Sequence, residues 1–155
     1  MSSPKRYYED FEVGDVRESG RYRITQEEGL AFARAYDPQP FHLDAKAAES
    51  SFFRKLVISG WQTAAITMRL LIDARKEDDG PLVGSGVDEL RWTFPVAPGD
   101  ELYVRSEVIE KAPWPGGKPR GIVRFRNETF NQNDVLVMTS IANTIAPMRA
   151  PSDEH

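Results

Sequence analysis

The chain has 155 residues, 40% of them hydrophobic and 28% charged, with a net charge of -4 and a pI near 5.3; this supports one globular core and excludes wholesale disorder. No apolar run exceeds four residues, as in Val135-Leu136-Val137-Met138, against the ~20 needed to cross a bilayer, and the acidic balance argues against a general binder of nucleic-acid phosphates. There is no cysteine, and histidine occurs only at 42 and 155, which excludes disulfides, thiolate nucleophiles and histidine- or cysteine-rich metal cages.

The opening stretch, Met1 to Asp10, has a basic pair with no apolar segment behind it, so the expected location is the cytoplasm. The triplet Asn127-Glu128-Thr129 is then a glycosylation sequon only in form. Arg21-Tyr22-Arg23-Ile24 reads as a short strand, and Thr25 with Glu28 three residues on forms a capping box, so a helix starts at Gln26. It stops near Tyr36, because Asp37 precedes Pro38 and is pushed out of the α region.

Residues 37–59 read as irregular and rigid, with a helical turn capped by Asp44. A second helix is expected from Gly60, with Trp61, Ala64, Ala65, Met68, Leu71 and Ile72 spaced as one buried face. It ends at the charged turn 75–81. Thereafter Val83–Phe94, Glu101–Lys111, Gly121–Phe130 and Val135–Ile145 are rich in β-formers and separated by turn sequences, which predicts a four-stranded antiparallel meander. A slip in the alternation predicts a β-bulge at Asn127-Glu128. Helices followed by strands indicate an α+β fold, a curved sheet packed on the 60–75 helix, in one domain over 1–155 with a core of about 10–146 and a polar tail at 147–155. Gly84-Ser85-Gly86 is read as a glycine-rich strand, since no βαβ unit follows it.

The chemistry-bearing residues that remain are Asp37 and His42, in a segment braced by Pro38 and Pro40, and Gly60 after Ile58-Ser59. A carboxylate and an imidazole facing one pocket can hold a water and move its protons. The amide at a helix N-terminus points an unpaired N–H outward, and a glycine there lets a carbonyl approach. The same residues also fit a turn aspartate, a loop histidine and an ordinary Ser59 helix cap, so the residues alone leave function open.

The run Phe32-Ala33-Arg34-Ala35-Tyr36-Asp37-Pro38-Gln39-Pro40-Phe41-His42-Leu43-Asp44, followed by Ile58-Ser59-Gly60-Trp61, resembles the hydratase motif of MaoC-like dehydratases, the (R)-specific enoyl-CoA hydratases with a hot-dog fold. Phe11-Glu12-Val13-Gly14-Asp15 and the segment Leu90 to Asp100 resemble the family's opening and its strand-turn-strand. The resemblance implies a curved antiparallel sheet around a central helix. It also implies that Asp37 and His42 bind the catalytic water as general acid and base, and that the Gly60 amide forms the oxyanion hole. The implied reaction is reversible hydration of a trans-2-enoyl-CoA, with no cofactor beyond the coenzyme A of the acyl-CoA substrate and no metal.

Three residues depart from the pattern. Gln39 stands for the usual asparagine, Tyr36 for a glycine and Met68 for a frequent helix serine. Asp44 is read as a cap, Trp61, Phe41, Phe52 and Phe53 as core before pocket wall, and Lys111, Lys118, Arg120, Arg124 and Arg126 as a solvated basic face. A hot-dog thioesterase and a non-catalytic acyl-CoA-binding subunit are the rival readings. The exposed edges of one such sheet predict a homodimer or higher homo-oligomer.

Overall fold

In the computed structural model, which describes residues 6–76 and 79–149, helix α1 (Gln26–Tyr36) opens as its sequence requires. Thr25 accepts from the Glu28 amide, and the Glu28 carboxylate accepts from the Thr25 amide. Two short helical pieces follow, α2 (Pro40–Leu43) and α3 (Ala45–Glu49), the latter capped by Asp44, which accepts from the Lys46 and Ala47 amides. The central helix α4 spans Gly60–Asp73 and is capped by Ser59. The polar tail from residue 150, His155 included, and Glu77-Asp78 of the turn after α4 lie outside the described residues.

Among the described residues six strands form the sheet: β1 (Val16–Glu18), β2 (Tyr22–Arg23), β3 (Val83–Trp92), β4 (Glu101–Pro113), β5 (Arg120–Phe130) and β6 (Leu136–Pro147). Their order is β1-β4-β5-β6-β3, with β2 also on β4 and all pairings antiparallel. This corrects the expected meander, because β3 pairs with β6 at one edge instead of with β4. Residues 93–100 do not close a hairpin. The Ile58 amide donates to the Val96 carbonyl (2.8 Å) and the Gly99 amide to the Ile24 carbonyl (2.7 Å), so this segment is drawn over the start of α4 on its way between the sheet edges.

The expected bulge at Asn127-Glu128 is also absent. Asn127 stays in register with Ser106 and Ser140, and the irregularities fall at Val108/Glu110 and Thr129/Phe130. Ser106, Asn127 and Ser140 are all buried; the apolar alternation breaks because polar residues occupy inward positions, with the backbone undisturbed.

The larger correction concerns α4. Its buried residues are Gln62, Thr63, Ile66, Thr67 and Leu70, of which Ile66 and Leu70 join Leu102, Val104, Val137 and Met138 in the core. Thr67 fits this face because its hydroxyl reaches the Thr63 carbonyl (2.9 Å) and the Thr129 hydroxyl (2.7 Å), and paired polar groups are tolerated in a dry core. Of the six residues expected on the buried face, Ala64 and Leu71 pack against this core, whereas Ala65 is exposed and Trp61, Met68 and Ile72 are 60%, 56% and 43% exposed. Only the part of the stripe formed by Trp61, Ala65, Met68 and Ile72 points away from this chain's own sheet.

Candidate active site

Asp37 is the residue at which α1 ends: its amide donates to the Ala33 carbonyl (2.9 Å), and its own backbone is already non-helical, as the following proline demands. Pro38 and Pro40 then turn the chain directly into α2, which carries His42. The amide of Val57 donates to the Phe41 carbonyl (3.2 Å), bringing the start of α4 alongside α2. His42 is 6% exposed and Ser59 fully buried, while the Asp37 side chain keeps 18% exposure.

His42 Nδ1 lies 2.7 Å from the Val57 carbonyl oxygen. A carbonyl only accepts, so Nδ1 carries a proton and donates it there. His42 Nε2 lies 3.2 Å from Asp37 Oδ2. The same carboxylate accepts the Ser59 hydroxyl at Oδ2 (2.7 Å) and the Gln39 amide at Oδ1 (2.6 Å). Burial pushes the Asp37 pKa up, but the hydrogen bonds from Ser59 and Gln39, with the charge and hydrogen bond of His42, outweigh it and hold the carboxyl below its ordinary value.

Gly60 is the first residue of α4, next to Ser59, and no acceptor among the described residues takes its N–H. The Trp92 indole donates to the Gly60 carbonyl (2.8 Å) and covers its α-carbon. The structure therefore brings Asp37 and His42 into contact and joins them, through Ser59, to the helix end that exposes the Gly60 amide. An ionised carboxylate in contact with an imidazole, beside a free helix-end N–H, can hold a water next to a polarised carbonyl.

Of the other sequence candidates, one touches this group. Phe41 packs on His42 (4.6 Å between centroids) and on Phe53 (5.3 Å), whereas Phe52 is 94% exposed. Tyr36 is exposed and packs on Phe32, away from the pair. On the basic face, Arg124 pairs with Glu110 and Arg126 with Glu107, while Lys111 and Arg120 lie over the rings of Tyr8 and Trp114. The contacts missed at the sequence level are Ser59 and Gln39 to Asp37. The available signal was chemical: a serine cap uses only its oxygen, so its proton is left to donate.

A family model described as a MaoC like domain matches residues 11–127. The MaoC-like dehydratase from Rhodospirillum rubrum superimposes with a TM-score of 0.86 at 41% identity, covering 94% of this chain and 99% of that one. The unliganded R-hydratase PhaJ1 from Pseudomonas aeruginosa gives 0.73 at 30% identity, covering 92% and 86%. Protein YdeM of Bacillus subtilis is 30% identical over 129 residues, which is 83% of this chain and 90% of that protein. Model match, identity and superposition agree with the sheet and helix described above: this chain belongs to the MaoC-like dehydratase family, with its hot-dog fold.

Proposed function

We propose that the protein is a hydro-lyase that reversibly adds water to a trans-2-enoyl-CoA. The observation that carries this reading is the 3.2 Å contact of Asp37 Oδ2 with His42 Nε2, tied by Ser59 to the helix end that presents the Gly60 amide. The thioester carbonyl accepts from the Gly60 N–H, which with the α4 dipole stabilises negative charge developing on that oxygen. Water held by the pair loses a proton to it as the water oxygen bonds to the β-carbon. The π electrons move toward the carbonyl, and the pair returns one proton to the α-carbon. The pair ends the cycle as it began, so the step needs no redox cofactor and no metal, and coenzyme A enters only as part of the substrate.

Similarity to the (R)-hydratases supports this reaction class. The working unit in this reading is a homodimer, supported by the outward apolar stripe of α4 and the exposed edge strand β3. Incubation with crotonyl-CoA and longer enoyl-CoAs tests it. The expected result is loss of enoyl-thioester absorbance without release of free thiol. Thiol release would make the protein a thioesterase, and binding with neither change would make it a non-catalytic acyl-CoA-binding subunit.

A further inference from the structure

We propose that Ser59 is a positioning residue for Asp37: the hydroxyl that caps α4 also fixes the carboxylate, locking the acid/base group to the helix end that presents the Gly60 amide, with Gln39 fixing its second oxygen. This rests on the hydratase reading for its catalytic consequence, and on geometry alone for the hydrogen bonds.

A serine hydroxyl has one proton and two lone pairs. The Trp61 amide donates to Ser59 Oγ at 3.2 Å, so one lone pair serves the cap, and the proton goes to Asp37 Oδ2 at 2.7 Å. Ser59 is fully buried, so no bulk water competes for either bond. Residues 22 apart in the chain are thereby joined through one atom. Capping alone would be served as well by aspartate, but a carboxylate at 59 would face the Asp37 carboxylate as a like charge. The double use requires a group that donates and accepts at once.

Gln39 completes the arrangement by donating to Oδ1. A carboxylate offers about four acceptor sites; Ser59 and His42 crowd Oδ2 and Gln39 takes one position at Oδ1. The other Oδ1 position takes no donor among the described residues. The glutamine in place of the usual asparagine is thus engaged with the carboxylate. His42 is the titratable group acting on Asp37, while Ser59 and Gln39 are neutral donors that favour its ionised form.

The test compares wild type, Ser59→Ala, Ser59→Thr and Gln39→Leu. Two readouts are used: the pH dependence of kcat/KM for crotonyl-CoA hydration, and the Asp37 carboxyl titration followed by carbon-13 NMR without substrate. Ser59→Ala is expected to lower kcat by about 10- to 100-fold, the scale of a hydrogen bond to a charged group, with KM changed much less. Its acid limb and its carboxyl titration should both move to higher pH, because the ionised form has lost a donor. Ser59→Thr, which keeps the hydroxyl, should restore both, and Gln39→Leu, at an exposed bond, should move both in the same direction as Ser59→Ala.

If wild type does not hydrate enoyl-CoA but the titration still moves, the hydratase reading falls and the fixing of Asp37 by Ser59 stands. An unchanged carboxyl titration in both Ser59→Ala and Gln39→Leu overturns the proposal, whatever wild type does. Should Ser59→Ala fail to fold, Gln39→Leu decides: a moved titration supports the network and an unmoved one overturns it.

Discussion

The indole of Trp92 lies against the α-carbon of Gly60 so closely that a β-carbon there would stand 2.6 Å from the ring. Trp92 also donates to the Gly60 carbonyl, so β3 holds the first residue of α4 by packing and by a hydrogen bond. The glycine expected to admit a substrate carbonyl is required, in this fold, by a tryptophan.

Gly60→Ala is therefore expected to destabilise the protein by about 1–3 kcal/mol, the usual cost of overpacking. Trp92→Leu alone loses the hydrogen bond and much of the packing. Combined with Gly60→Ala it should cost clearly less than the sum of the two, because the clash no longer exists. Unfolding of the four proteins in urea measures this coupling, and additive costs would show that the indole does not set the glycine.

The local signals were legible where chemistry is local. Thr25 and Glu28 announced α1, Asp44 announced α3, and Asp37 and His42, singled out by residue type, come into contact. What failed was long-range. The three-and-four spacing of Trp61, Ala64, Ala65, Met68, Leu71 and Ile72 mixed two residues that pack on the core, Ala64 and Leu71, with four exposed ones, because periodicity does not say what covers a face. Thr67 was not among the expected buried residues, and the partner that lets it be buried, the Thr129 hydroxyl, is 62 residues away. The place of β3 was hidden for the same reason, since residues 93–100 resemble a turn yet bond to Ile24 and Ile58.

Asp79 shows how pH should act on stability. Its carboxylate takes Arg17 and the Lys76 amide, with Arg6 3.9 Å away, and its side chain is only 8% exposed. Burial raises its pKa, but those hydrogen bonds and charges prevail and lower it below the ordinary carboxylate value. The folded pKa is below the unfolded one, so the stabilisation is complete above the unfolded value and is lost as pH falls through the folded value. Asp79→Asn should cost about 1.5–3 kcal/mol at neutral pH, and urea unfolding should show that cost shrinking as the pH drops through the acid range. A pH-independent difference would contradict the assignment.

The outward stripe of α4 predicts the oligomeric state. Trp61, Ala65, Met68 and Ile72 recur every three or four residues on one exposed face, and Val83 and Val87 are 59% and 57% exposed on β3. A patch of this kind marks an association surface. Sedimentation velocity at micromolar concentration should show a homodimer, and Met68→Glu should shift it toward monomer without unfolding it, since Met68 touches little of its own core. A monomeric wild type would remove this reading.

The last prediction concerns Asp37 and His42 together. If they jointly hold one water, Asp37→Asn and His42→Ala should each lower turnover on enoyl-CoA by about 10²–10⁴-fold, the scale of a positioned acid or base. The double variant should be scarcely slower than the worse single, because the second change removes help already disabled by the first. KM should move much less, since the Gly60 amide remains. His42 also bonds to the Val57 carbonyl, so His42→Ala is expected to lower the melting temperature, and His42→Gln provides a variant that keeps more of the volume. Asp37→Asn preserves shape and should stay folded. Losses of activity that simply add and follow the melting temperature would identify the pair as structural, and near-normal turnover in folded Asp37→Asn would remove the hydration mechanism as drawn.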